Sequence, residues 1–171
     1  MYSEQTIWSE ILPSLAWSRN WHTKEDNEVI YKYASLASGD ILEIGSAEGQ
    51  SGITMLLAND LNRLICVEPY VSTNLLTNIK AQGLGWRVVI LPALSRSAVW
   101  NNTVELLLID AVHTYDEVKH DLEKWSKCEP KYIVLHDTSL EGVNRAVLEF
   151  IENKKYVIDF RGNNISILKM V

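Results

Sequence analysis

Cationic runs are what this sequence has least of. The longest is Lys154-Lys155, and 16 Lys and Arg against 22 Asp and Glu leave a formal net charge of −6. A phosphate backbone is gripped by clustered Lys and Arg, so no nucleic-acid partner is expected. No apolar stretch reaches the roughly 20 residues of a membrane span, and Met1-Tyr-Ser-Glu-Gln carries no basic leader ahead of an apolar core. The expectation is a cytoplasmic protein without a membrane partner. Cysteine is scarce as well. Cys66 lies in an apolar strand and Cys128 near a helix end, which makes them reduced thiols rather than a disulfide framework. Internal repeats, low-complexity segments and linkers are missing too.

What is present fits one domain. The chain has 171 residues, 47% hydrophobic and 22% charged, the balance of a globular protein with a sizeable core. The segment Ile41-Leu-Glu-Ile-Gly-Ser-Ala-Glu-Gly-Gln-Ser-Gly52 organises the rest. Ile41 to Ile44 reads as a buried strand, Gly45 and Gly49 as a turn, and Ile53 to Ala58 as the helix behind it. Glycine lets the chain turn sharply and bring backbone N–H groups close to a ligand. A second strand, Leu64 to Val67, ends in Glu68, an acid placed to suit a ribose hydroxyl pair. The spacing from the glycines is about the twenty residues of a nucleoside-binding βαβ unit.

From the start, Trp8, Trp17 and Trp21 fall in a segment, residues 1–22, that serves either as a lid or subunit interface or as a helix packed on the domain. Ile7, Trp8, Ile11 and Leu12 share a helical face until Pro13 interrupts it. Residues 23–171 form the domain proper. Thr23 to Asp26 resembles a capping box, and the helix behind it buries Ile30, Tyr33 and Ala34. Later helices begin at Ser72, with Leu75, Leu76 and Ile79 as the buried stripe, at the capping box Thr114-Tyr-Asp-Glu117, and before Val143. Further strands are Arg87 to Leu91, Val104 to Ile109 and Tyr132 to Leu135, with a hairpin, Tyr156 to Phe160 and Ile165 to Leu168, at the close. His22 and His120 read as surface residues, and Asp116, Glu117 and Asp121 as a solvated helix face. Five βα units and a hairpin specify a doubly wound α/β fold: a mostly parallel seven-stranded sheet with a C-terminal antiparallel hairpin.

The sequence resembles the class I S-adenosylmethionine-dependent methyltransferases, and more narrowly the small group around macrocin O-methyltransferase and cephalosporin-hydroxylase-like proteins. The resemblance rests on Leu42 to Ser51, Val67-Glu-Pro69, Leu108 to Val118 with Asp121 to Trp125, and Ile133 to Thr138, extending through Gly142-Val143 and Ala146-Val147. It implies a Rossmann-like methyltransferase fold and S-adenosylmethionine as cofactor. The implied cofactor contacts are Glu43, Gly45, Ser46, Gly49, Ser51, Glu68 and Ser95. Two departures stand out: Ala47 replaces the usual middle glycine, and Pro92 to Ser95 lacks the acid that often meets the adenine amino group.

Asp110, His113, His136 and Asp137 form a second constellation at the ends of the fourth and fifth strands, where such sheets bind ligands. Oxygen donors with imidazole suit a divalent ion, Mg²⁺ or another. By the same resemblance, Asp110, His136 and Asp137 fall on metal positions, His136 in place of an acid, and His113 on that of a general base. The alternative is that the acids only cap loops and the histidines donate to carbonyls. The expected function is O-methylation of a small-molecule or glycosylated acceptor by a homodimer or larger homo-oligomer. A nicotinamide-dependent enzyme, a metal-independent methyltransferase and a non-catalytic cofactor-binding or assembly module remain open at this point.

Overall fold

The computed structural model describes residues 2–15 and 21–171. The chain begins with α1 (Glu4–Thr6), a π-helical turn over Ile7–Ile11, and α2 (Leu12–Ser14). The helix therefore runs past the expected break at Pro13. The helical run is unbroken from Glu4 and ends at Ser14, one residue after the proline, where Leu15 is extended. Ile7, Ile11, Leu12 and Leu15 are buried in the main core, with Trp8 half-buried against them. Trp17 lies outside the described residues. Trp21 is exposed and donates its indole N–H to Glu48 Oε2 at 3.1 Å.

Next come α3 (Lys24–Ser35), β1 (Asp40–Ile44), α4 (Gln50–Ala58), β2 (Arg63–Val67), α5 (Thr73–Ala81) and β3 (Val88–Leu91). β4 (Leu106–Ile109), α6 (Tyr115–Trp125), β5 (Tyr132–His136), α7 (Glu141–Ile151), β6 (Tyr156–Arg161) and β7 (Ile165–Met170) complete the order. β1, β2, β4 and β5 are apolar without alternation, so neither of their faces can be left to water. Successive residues point to opposite sides of the sheet. Ile41, Leu64, Leu108 and Val134 pack with α3, α4 and α5, while Leu42, Ile65, Leu107 and Ile133 pack with α6 and α7.

The seven strands lie in the order β3-β2-β1-β4-β5-β7-β6. All pairs are parallel except β5 with β7 and β6 with β7. That is the expected mostly parallel sheet with a closing antiparallel hairpin. The strand order reverses between β1 and β4, which opens a crevice at the carboxyl edge.

Local differences from the sequence reading have simple causes. β3 starts at Val88, because Arg87 belongs to a 3₁₀ turn and its buried guanidinium donates to the carbonyls of Asn62 (2.7 Å) and Asn59 (2.5 Å). β4 starts at Leu106, since Val104 N–H donates to the Cys128 carbonyl instead. Leu76 is exposed on α5, beside the edge strand β3. The Thr23–Asp26 capping box forms, but Thr114 makes no capping bond and Glu117 is forked onto Arg96 at 2.9–3.1 Å.

Candidate active site

The glycine turn after β1 is shaped by two left-handed glycines. Gly45 has φ +88°, and a Cβ there would stand 2.3 Å from the Asp110 carbonyl oxygen, so only glycine passes beneath the end of β4. Gly49, φ +89°, is the N-cap of α4. Between them Ala47 takes φ 42°, the left-handed region that favours glycine, with its methyl toward solvent. Glu68 ties the turn down. Its Oε2 accepts the N–H groups of Ser46 (3.2 Å) and Ala47 (3.1 Å), and its Oε1 accepts that of Tyr70 (2.9 Å).

Two of the residues expected at the cofactor have partners within the protein. Glu43 reaches no cavity; it is fully buried beneath the turn, where Ser51 Oγ donates to it at 2.5 Å. Burial pushes its carboxyl up to about 7, against the pull of that hydrogen bond. Its part is to hold the loop from below. Ser95 does border a cavity, but its hydroxyl donates to Asp121 and accepts the Trp125 indole N–H at 2.7 Å. Asp121 is thus a buried partner of the loop after β3 rather than a solvated residue, and burial raises its carboxyl above the usual range.

Two cavities flank the turn. The larger, about 450 Å³, is bordered by Glu68, Tyr70, Leu94, Ser95 and Asp121. The smaller, about 200 Å³, is bordered by Trp21, His22, Gln50, Ser51, His113 and His136. Both touch Gly45, Ala47, Asp110 and Ala111, so they meet where the turn passes the end of β4. Gln50 Oε1 and His22 Nδ1 are buried beside the smaller one without hydrogen-bond partners.

The four residues expected at the ends of β4 and β5 do come together, and others join them. His136 Nδ1 lies 3.2 Å from Asp110 Oδ1 and 3.4 Å from Asp137 Oδ2; its Nε2 lies 3.4 Å from Asp26 Oδ2. His113 Nδ1 lies 3.2 Å from Asp137 Oδ2. His22, expected on the surface, is buried, with Nε2 3.0 Å from Asp110 Oδ2. Asn164, in the β6–β7 turn, donates to Asp137 Oδ1 at 2.9 Å. Asp137 itself has φ 54°, a strained backbone fixed by these contacts. Burial alone would raise Asp110 and depress His136. The hydrogen bonds from His136 and His22 outweigh it and hold Asp110 far below the usual carboxylate range, while Asp110, Asp137 and Asp26 lift His136 to about 9. Among the described residues, two sets of donor atoms fall within 4.8 Å of one another: His22, Asp110 and His136, and Asp110, His113 and Asp137.

A profile of the family described as "Methyltransferase domain" matches residues 42–138, more than half of the chain, and spans the site from Glu43 to Asp137 but not Trp21, His22, Asp26 or Asn164. The chain belongs to that methyltransferase family. A search of the curated proteins returns no match. Solved structures share the class I methyltransferase fold at low identity. The methyltransferase PaMTH1 of Podospora anserina, bound to SAH, is 11% identical with a TM-score of 0.76, covering 98% of this chain and 87% of that one. A Staphylococcus aureus protein described as a caffeoyl-CoA O-methyltransferase is 14% identical with a TM-score of 0.74, covering 100% and 93%. A SAM-dependent O-methyltransferase of Thermotoga maritima is 11% identical with a TM-score of 0.74, covering 96% and 71%.

Sequence reasoning missed His22, Asp26 and Asn164 in this methyltransferase's site. Asp26 carried a signal, but for a helix cap, and Asn164 carried one for a turn. His22 carried none, because its partner is 88 positions away.

Proposed function

We propose that this methyltransferase moves a methyl group from S-adenosylmethionine to a hydroxyl oxygen of a small-molecule or glycosylated acceptor. The observation that carries the reading is the meeting of two cavities at Gly45 and Asp110, with the His113–Asp137 pair beside the smaller. The larger cavity lies in the size range of small-ligand sites and has an acid in its wall. A carboxylate offers about four lone-pair positions, and Glu68 uses three, so one remains for a ribose hydroxyl. The unpartnered Gln50 Oε1 offers a further acceptor for the cofactor's polar end.

S-adenosylmethionine supplies an electrophilic methyl, which forms a bond to the acceptor oxygen as its bond to sulfur breaks, the electron pair staying on sulfur. The protein's task is to hold the two reactants in line and to remove the hydroxyl proton. His113 suits the second task. Asp137 beside Nδ1 fixes the ring with its proton on that nitrogen, leaving Nε2 to accept one.

Metal assistance was expected from Asp110, His136 and Asp137. Donor spacing alone would admit an ion, but every carboxylate oxygen of Asp110 and Asp137 already faces a nitrogen: His136, His22, Asn164 and His113. The residues present do not fit a divalent ion in this arrangement, and proton removal by His113 needs none.

Incubation with methyl-labelled S-adenosylmethionine and a metabolite extract should place label on an acceptor oxygen, and His113→Ala should cut turnover about 10²–10⁴-fold, the range for a positioned base, with cofactor affinity unchanged. A His113→Ala enzyme that turns over normally would end the base assignment. Calorimetry in which NAD binds and S-adenosylmethionine does not would end the reading altogether.

A further inference from the structure

The ring of His136 is only 4% exposed, yet it stands among three carboxylates from three elements: Asp26 from the first turn of α3, Asp110 after β4, and Asp137 after β5. Acids this close in a dry site repel unless a cation lies between them. A neutral imidazole can donate from one nitrogen only, whereas both nitrogens of His136 lie within 3.4 Å of carboxylate oxygens, Nδ1 beside Asp110 and Asp137 and Nε2 beside Asp26, with the Asn164 amide nitrogen also 3.3 Å from Nε2. A divalent ion would have to take the same oxygens, and any histidine that ligates it must be deprotonated. The ring also borders the acceptor-side cavity, so its charge reaches the place where an oxygen would become negative.

We propose that His136 is the built-in cation of this site: a protein-supplied positive charge that fills the place of a divalent ion and leaves methyl transfer without a metal requirement. His136 is then a positioning residue. It neutralises Asp110 and Asp137, leaving Asp137 free to orient His113, and it holds the ends of β4, β5 and α3 together. The last clause of the proposal rests on the methyl-transfer reading; the absence of a metal site does not, so the test is a binding measurement.

Mn²⁺ titrated into the wild-type protein and followed by its electron paramagnetic resonance signal should show half-saturation no tighter than about 10⁻³ M, the weak end of carboxylate cation sites. His136→Asp supplies a carboxylate in place of the charge and should bring Mn²⁺ affinity to about 10⁻⁵ M, roughly a hundredfold tighter. Stoichiometric Mn²⁺ binding by the wild type in the micromolar range would overturn the proposal, as would a folded His136→Asp protein that gains no affinity. Should that variant fail to fold, nitrogen-15 spectra of the wild-type histidines at pH 7 decide. Protons on both His136 nitrogens support the proposal, and one bare nitrogen overturns it. If methyl transfer fails to appear but Mn²⁺ still does not bind, the proposed function falls and the built-in cation stands.

Discussion

Glu68 does two jobs with one carboxylate, and they can be separated. Three backbone N–H groups shape the turn through it, and one lone pair is left for the cofactor. Glu68→Ala should weaken S-adenosylmethionine binding by about 1.5–3 kcal/mol, the range for hydrogen bonds to a charged group, and also lower the unfolding midpoint. Unchanged affinity in calorimetry, with the fold intact, would remove the ribose role. Glu43 gives a prediction in pH. Its carboxyl ionises near 4.5 when unfolded and at about 7 when folded. Between those values the folded chain keeps a proton that the unfolded chain releases, so stability falls as pH rises through the window. The wild type should lose about 2 kcal/mol from this group between pH 5 and pH 7. Glu43→Gln should flatten that slope, and denaturant unfolding at the two pH values measures it. An identical slope in the variant would mean that Glu43 is ionised in the folded protein.

At the scale of elements, the turn between β1 and α4 is the least forgiving. Gly45→Ala would force a left-handed alanine, costing about 1–2 kcal/mol, and drive its Cβ into the Asp110 carbonyl. Its thermal midpoint should drop by at least about 3 °C, with cofactor binding lost. A stable, binding-competent Gly45→Ala protein would show that the turn can shift. Most elements were legible because their signals are local. Apolar runs without alternation marked β1, β2, β4 and β5, and the glycines marked the turn. Boundaries slipped where a side chain took over a backbone group, as Arg87 does at the start of β3. At Thr114 the reciprocal half of the capping box is missing because Glu117 turns to Arg96 instead of the Thr114 N–H. The acid pair and His113 were legible as residues at strand ends. Their second partners, His22, Asp26 and Asn164, were not, because only the folded chain brings those segments to the same edge. Asp121 was misjudged for the same reason: nothing in α6 says that the loop after β3 lies over it.

For the whole molecule, assembly as a homodimer or larger closed oligomer remains our proposal, with revised grounds. Trp8 packs inward and Trp21 is hydrogen-bonded to Glu48 of the same chain, so these two no longer supply the main argument. The exposed Trp86, Val89 and Leu76 at the β3 edge now do, since an unpaired edge strand offers a partner its N–H and C=O groups. Light scattering should give at least twice 19.5 kDa. A monomer that persists at high concentration would assign that edge to solvent.

The placement of β7 has a consequence for synthesis. β7 lies between β5 and β6 in space but follows both in the chain, and the turn before it carries Asn164, which bonds Asp137. In a growing chain the walls of the larger cavity, which run from Gly45 through Glu68 and Ser95 to Asp121, can be complete once α6 has emerged. The acceptor side must wait for Asn164, because until then β5 is an unpaired edge and Asp137 lacks its latch. The nascent protein would bind its cofactor half before it could act on anything.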